Sequence, residues 1–436
     1  MKINFINKTY QKDFIDIFRI FSNEDLIYST DAAWSLSDDE LILDQSYRFK
    51  DRLELKQILY AYFSDYYKMT SPWGLMTGTK PMKLYRQIGP DGLKDKYQVS
   101  PQKILLLDTI DQTQKAYDYN NEDIHLYIHI PFCPSRCSYC SYPTIVYANK
   151  DRRQEFLDGL LYEIKEMAAS INNYHLRSIY IGGGTPSALT HEQLETLLKS
   201  LSEEFNLHVL EEFTIEAGRE DTLDIEKLKL FKHYQVSRIS INPQTFNQDT
   251  LNKIARKQDN DRLISLYKTA RELGFIVNMD LIIGLEDEKM SDVVKSLEEV
   301  GRLKPQNITI HTLSYKKGSK LVDQAESYQK TSDMLSKAVA LSIHMAQSMG
   351  YQPYYLYRQK EILGNFENIG YSLPTYASIY NIASNEEHAS IIGLGMNASS
   401  KIVKSNKIKR YTNYKNLNDY LEQIDHQIQK KQDMLK

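Results

Sequence analysis

Between about residue 125 and residue 315 the chain alternates short β-branched runs with longer stretches whose apolar residues recur at helical spacing. The runs are HLYIHI (125–130), SIYIGG (178–183), EFTIEA (212–217), SRISIN (237–242), FIVNMDLIIG (275–284) and NITIHTL (307–313). After the first of them, Phe156, Leu157, Leu160, Leu161, Ile164 and Met167 mark one face of a helix over 152–168. The segments 191–205, 223–233, 260–273 and 288–303 follow the same pattern. Apolar strands that alternate with amphipathic helices bury both faces of a sheet most simply as right-handed βαβ units with parallel strands. Six such units predict an α/β core. It is either a partial (β/α) barrel or a wound sheet, and periodicity alone does not separate the two.

A chain of 436 residues is too long for that core alone. Residues 1–120 carry a helical pattern over 51–68 and the punctuated segment SPWGLMTGTKPMK, and are expected to form an α-rich N-terminal accessory region. Residues 121–320 are the expected core, and 321–436 a C-terminal region. That last part holds a long helical pattern (322–349), a Tyr-, Gly- and Asn-rich segment (351–397), and the basic stretch KIVKSNKIKR, which reads as an exposed edge strand or hairpin. A terminal helix is expected over 416–431. With 54 basic and 57 acidic side chains the formal net charge is −3, which lacks the basic footprint of a dedicated nucleic-acid binder. No stretch approaches the ~18 continuous apolar residues of a membrane span. The opening residues, MKINFINKTYQKDF, contain no apolar core of a secretory signal, so a cytoplasmic location is expected.

The chain has three cysteines, and all of them fall within eight residues: Cys133, Cys137 and Cys140. An odd number rules out a closed disulfide framework, and in a reducing compartment clustered cysteines mean metal or catalysis. The cluster follows the first expected strand, at the C-terminal rim where βα folds place their chemistry. Structural zinc wants four ligands, so a zinc site here would have to recruit His129. Three thiolates at Cx₃Cx₂C spacing suit a [4Fe–4S] cluster that leaves one iron open to an outside ligand. Gly182-Gly183-Gly184-Thr185-Pro186 ends the second strand. It is neither a P-loop nor a dinucleotide fingerprint, and by itself reads as a tight turn offering bare backbone groups. Glu216, Gln244, Arg256 and Asp280 lie at or beyond successive strand ends, where side chains converge on one rim.

Cx₃Cx₂C with Tyr139 before the last cysteine resembles the radical S-adenosylmethionine superfamily, and YIHIPFC (127–133) narrows the resemblance to the oxygen-independent coproporphyrinogen III oxidase family. IGGGTPS (181–187), IEAGRED (215–221), RISINPQTFN (238–247), NMDLIIGL (278–285) and IIGLGMNA (391–398) match in order. SPWGLMTGTKPMKL, HTLSYKKGSKL and GYQPYYLYRQKEILGNFENIGY look like the coproporphyrinogen dehydrogenase branch of Gram-positive bacteria. The resemblance spans nearly the whole chain.

It implies a partial (β/α)6 radical-SAM barrel with N- and C-terminal appendages, the latter covering the substrate. It also implies a cluster held by Cys133, Cys137 and Cys140 that cleaves S-adenosylmethionine to a 5′-deoxyadenosyl radical. Tyr127, Gly183 and Glu216 would contact that cofactor. Tyr139, Gly184, Thr185, Gln244, Arg256 and Asp280 would contact a second molecule, which some family members bind. The implied reaction is oxidative decarboxylation of coproporphyrinogen III to protoporphyrinogen IX, fed by a flavodoxin- or ferredoxin-type electron donor. In the aromatic and cationic run 354–360, Arg358 is the candidate for binding a propionate of the tetrapyrrole, because guanidinium forks grip carboxylates bidentately. A haem chaperone, a radical methyltransferase and an anaerobic haem-degrading enzyme share the same core, and a zinc scaffold without turnover is the reading from another class. Two departures matter. Ser141-Tyr142 stand where the best-studied oxidases carry a further cysteine, and Gly284-Leu285-Glu286-Asp287 replaces the usual Gly-Leu-Pro-Gly.

Overall fold

The computed structural model describes every residue except 23, 121, 143, 149, 315–331, 360–361 and 405–406. Its first 50 residues contain a sheet that hydrophobic periodicity does not announce. Five short strands, β1 (Lys2–Phe5), β2 (Ile27–Tyr28), β3 (Trp34–Leu36), β4 (Glu40–Ile42) and β5 (Ser46–Arg48), line up in the order β2-β1-β3-β4-β5. Helices α1 (Gln11–Phe21) and α2 (Arg52–Tyr67) cover it, and Phe14, Phe18, Leu59 and Phe63 share its core. Asp51 caps α2 by accepting from the Leu53 and Glu54 N–H groups. Helices α3 (Pro81–Tyr97) and α4 (Pro101–Gln114) follow. Trp73, Met82, Leu93 and Leu107 belong to the same apolar cluster as the central strands, so this stretch packs on the core.

All six expected core strands form. They are β6 (Asp123–Ile130), which leads into the small pair β7 (Phe132–Cys133) and β8 (Ile145–Val146), then β9 (His175–Gly183), β10 (Glu212–Ile215), β11 (Arg238–Ser240), β12 (Ile276–Ile283) and β13 (Asn307–Thr312). Neighbours run parallel in the order β6-β9-β10-β11-β12-β13. Helices α5 (Arg153–Ile171), α6 (His191–Glu204), α7 (Ile225–His233), the short α8 (Gln248–Lys253), α9 (Asn260–Glu272) and α10 (Met290–Leu303) connect them. This is the expected partial barrel. Along β6, Ile124, Leu126, Ile128 and Ile130 are fully buried, while the intervening His125, Tyr127 and His129 point to the opposite face. Removing each such isoleucine from water contributes about 2–3 kcal/mol to holding the strand in place.

The C-terminal region extends the sheet at both edges. After α11 (Ser332–Ser348), β14 (Gln352–Tyr357) and β15 (Asn368–Ser372) continue antiparallel beyond β13. After α12 (Ile379–Glu386), β16 (Ser390–Leu394) pairs parallel with β6, and β17 (Ser399–Lys404) and β18 (Lys407–Thr412) form the expected edge hairpin. The helical pattern expected over 322–349 is a helix over its described part, and residues 322–331 lie outside the described residues. The terminal helix divides into α13 (Leu417–Glu422) and α14 (Ile424–Leu435). No helix among the described residues is long and apolar enough to cross a membrane.

One buried ion pair fastens the chain's end to the core. Lys431 of α14 and Glu163 of α5 are both fully buried and bonded to each other. The same carboxylate accepts from the Gly395 N–H at 2.6 Å, the Tyr420 hydroxyl at 2.7 Å and the Asn413 amide at 2.8 Å. Replacing Lys431 by Met would leave that carboxylate charged and without its counter-ion in the interior. The expected loss in denaturant unfolding is about 3–5 kcal/mol.

Candidate active site

The cysteine loop is shaped by its backbone before its thiols. The loop after β6 is closed where β7 pairs parallel with β8 and the Ile145 N–H donates to the Pro131 carbonyl at 2.7 Å. A turn then closes from the Cys140 N–H to the Cys137 carbonyl at 3.1 Å, and the Ser138 N–H reaches Ile254 just beyond α8 at 3.0 Å. Cys133 and Cys137 are buried, Cys140 is less so, and all three border one cavity of about 140 Å³. Burial, helped by the neighbouring Cys140 and Cys137, pushes the Cys133 thiol up to about 11, even though Thr185 Oγ1 lies 3.3 Å from its sulfur. Among the described residues no three His, Cys, Asp or Glu side chains converge on a point that would hold a lone ion. The cysteines instead stand around a space, which suits thiolates that each reach a different iron of a cluster.

The glycine turn runs beside this loop. The Gly184 N–H donates to Ile130 and the Thr185 N–H to Phe132, both at 2.8 Å, so the turn is laced to the residues just before Cys133. Gly183 has φ +112°, and a Cβ there would come within 2.5 Å of the His129 ring. A Cβ on Gly184 would come within 2.7 Å of the Phe132 carbonyl oxygen.

Glu216 accepts the Gly183 N–H at 3.2 Å and the Tyr180 hydroxyl. Burial raises its carboxyl to about 7 against the pull of the Tyr180 hydroxyl. Asp280 is held ionised in spite of burial: His311 (3.6 Å) and Asn278 (2.7 Å) keep its carboxyl below the ordinary range, and the Asn242 amide donates to it at 2.8 Å. Gln244 sits in the left-handed region (φ +63°), and its buried side-chain oxygen has no protein partner. Arg256 is buried, with its guanidinium donating to the Gly218 carbonyl at 2.6 Å and the Asn242 carbonyl at 2.5 Å.

The structure therefore brings most of the candidates together. Tyr139, Gly183, Gly184, Thr185, Glu216, Gln244 and Arg256 border the cysteine cavity. Tyr127 and Asp280 border a second cavity of about 440 Å³ inside the barrel, which shares Tyr139, Cys140, Tyr142, Gly183, Glu216, Asn242 and Gln244 with the first. Tyrosines and asparagines dominate the larger space, among them Tyr180, Tyr354, Tyr355, Tyr357, Asn307, Asn368 and Asn381. The unpartnered Gln244 amide oxygen and the half-buried acids Glu216 and Asp280 give the shared wall acceptors for a ligand's N–H groups.

Arg358 is the exception. It borders neither cavity. Its guanidinium lies against the Trp73 ring and donates to the carbonyls of Met76 (2.6 Å), Asn365 (3.2 Å), Gly78 and Phe366 (3.4 Å each), and to the Asn365 side chain. Burial lowers its pKa to about 10. It ties segment 71–79 to β14. Arg358→Met should cost about 2–3 kcal/mol in thermal or denaturant unfolding, through several carbonyls left without donors, and leave cofactor affinity unchanged.

Several site residues escaped the sequence reading. Arg219, gripped by Asp221 through bonds of 2.9 and 2.6 Å, places a guanidinium nitrogen 3.6 Å from the Cys137 sulfur. An arginine three residues after Glu216, at a strand end, was the available signal. Asn278 lies two residues before Asp280 on the same strand face, and His311 lies on the adjoining strand, so parity and register pointed to both.

Comparison with known proteins agrees with this geometry. Residues 127–300 match the radical SAM superfamily. The chain is 38% identical over 389 residues to the oxygen-independent coproporphyrinogen-III oxidase-like protein HemZ of Bacillus subtilis, covering 83% of this chain and 77% of that protein. It is 31% identical over 305 residues to the heme chaperone HemW of Lactococcus lactis, covering 68% of this chain and 73% of the relative. In three dimensions it resembles the coproporphyrinogen III oxidase HemN of Escherichia coli, with a TM-score of 0.59, 23% identity, and coverage of 75% of this chain and 73% of that one.

Proposed function

This chain belongs to the radical SAM superfamily, in the family of the oxygen-independent coproporphyrinogen III oxidases and their relatives, and from that membership we propose that it converts two propionates of coproporphyrinogen III to vinyls without oxygen. The observation that carries the reading is the shared wall: three thiols border a small cavity that adjoins a larger, aromatic one inside the barrel. Cys133, Cys137 and Cys140 hold a [4Fe–4S] cluster, and Gly183, Glu216 and Tyr127 receive S-adenosylmethionine beside it. Tyr139, Gly184, Thr185, Gln244, Arg256 and Asp280 receive a second such molecule. When bound, these cofactors would supply the carbon radical that takes one hydrogen from a propionate side chain, which would then lose carbon dioxide and pass one electron to an external one-electron acceptor.

The chain's own contribution is placement. Tyrosine rings give the macrocycle flat apolar contact, and the asparagine amides and phenols give it neutral hydrogen-bonding partners. A flavodoxin- or ferredoxin-type protein delivers the electron in a cytoplasmic setting.

A second reading rests on the charge of the larger cavity. Among its described lining residues the one arginine is Arg238, already bonded to Glu212, Asn307 and two carbonyls. So few free cations suit a tetrapyrrole with fewer carboxylates, as a haem chaperone would carry. Anaerobic incubation of the cluster-loaded chain with S-adenosylmethionine, a reductant and coproporphyrinogen III decides between them. Divinyl product with release of carbon dioxide supports the oxidase, and tight haem binding with no vinyl product supports the chaperone.

A further inference from the structure

Under the proposed function, on which this inference rests, Glu216 is the acid of the S-adenosylmethionine site. Its carboxylate does not find its own orientation. One oxygen accepts the Tyr180 hydroxyl and the other the Gly183 N–H at 3.2 Å. Tyr180 is itself clamped. Its ring lies on that of Tyr380 with centroids 4.3 Å apart and planes 22° apart, and Tyr127 stands 6.2 Å from each of them. Tyr180 comes from β9 of the core, facing Tyr127 on β6 and Thr214 on β10. Tyr380 comes from α12, the C-terminal helix whose Asn381, Ser384 and Asn385 border the larger cavity. A ring from the core and a ring from the covering region thus form one stack that ends on the carboxylate.

We propose that Tyr180 is a positioning residue for Glu216: its hydroxyl holds the carboxylate turned toward Gly183 for the cofactor's amino group, and Tyr380 keeps Tyr180 in place by stacking. Wall and cofactor acid are thereby mechanically joined.

The electrostatics give the proposal a readable signature. Glu216 is faced by Asp280 and by the phenols of Tyr127, Tyr142, Tyr357 and Tyr380, with His311 as the opposing titratable base. Burial raises its carboxyl to about 7, the Tyr180 hydroxyl and Gly183 N–H pull it down, Asp280 pushes it up and His311 pulls it down. An amino N–H group donates a stronger hydrogen bond to the ionised acid than to the neutral one. Tyr180→Phe keeps the ring and removes one of the carboxylate's two donors, leaving the Gly183 N–H, so the carboxyl should ionise only at higher pH.

The test is S-adenosylmethionine affinity of the cluster-loaded protein, by equilibrium dialysis between about pH 6 and pH 9. The cofactor's own amino group titrates at about pH 8, the ordinary α-amino value, for every variant alike, so each curve is read as its ratio to the native one. For Tyr180→Phe the curve should move to higher pH, roughly tenfold weaker near neutrality for each unit of displacement, and converge on the native curve at the alkaline end. Tyr380→Ala should show the same displacement, and Tyr380→Phe, which retains the ring, should restore the affinity that the alanine loses. Glu216→Gln should bind weakly at every pH. A Tyr180→Phe curve that overlies the native one, or that falls equally at all pH values, overturns the positioning role while a weak Glu216→Gln leaves the cofactor assignment standing. Native-like binding by Glu216→Gln overturns both.

Discussion

Cys137→Ala should load little or no iron–sulfur cluster on anaerobic reconstitution, and cleavage of S-adenosylmethionine to 5′-deoxyadenosine should fall by more than about 100-fold, beyond what losing a merely supporting partner of a metal site costs. Three thiols border the cavity and no fourth cysteine exists to replace one. Cys137 is also the thiol that faces Arg219, at 3.6 Å, so its loss leaves a buried guanidinium whose remaining side-chain partner is Asp221. Iron content, sulfide content and 5′-deoxyadenosine yield measure the effect. Full cluster occupancy with retained cleavage would contradict the ligand assignment.

Gly184→Ala should be nearly as damaging although it alters no ligand. The added Cβ would sit 2.7 Å from the Phe132 carbonyl oxygen and 3.1 Å from that of Ile130, and both are backbone atoms with no rotamer to yield. Those two carbonyls accept the Gly184 and Thr185 N–H groups, so relief of the clash has to push the glycine turn away from the cysteine loop. We expect a destabilisation of about 2–4 kcal/mol by thermal or denaturant unfolding, and cluster loading reduced to a minor fraction. Normal iron content in a protein of native stability would show that the two segments are less tightly fitted than these distances imply.

Much of the architecture is legible in the sequence, for identifiable physical reasons. The six core strands carry continuous apolar faces between amphipathic helices, so their existence followed from periodicity, while their sequential order around a partial barrel was implied by the family resemblance. The cysteine loop was legible because its chemistry is written in consecutive residues. The first sheet was not, because strands of two to four residues such as Ile27–Tyr28 are shorter than any periodic signal. The strands over 351–397 were hidden by a composition of Tyr, Gly and Asn that reads as loop, although Asn368–Ser372 and Ser390–Leu394 are buried throughout.

Arg358 lies outside both cavities for a subtler reason. Tyr357 and Gln359 face the larger cavity, and the residue between them turns to the opposite side, into the carbonyls around Trp73. A shift of one residue along a strand exchanges a ligand-facing side chain for a structural one. Tyr180 and Tyr380 were missed because their partnership joins residues 200 positions apart.

The central claim, that this chain uses its cofactors to take hydrogen from a tetrapyrrole propionate, is tested most directly by isotope transfer. Coproporphyrinogen III deuterated on the propionate carbons next to the ring should be incubated anaerobically with the loaded protein, S-adenosylmethionine and a reductant. The account predicts 5′-deoxyadenosine carrying deuterium, formed together with vinyl product. Vinyl product with unlabelled 5′-deoxyadenosine, or a bound tetrapyrrole recovered intact while 5′-deoxyadenosine accumulates without label, would contradict it.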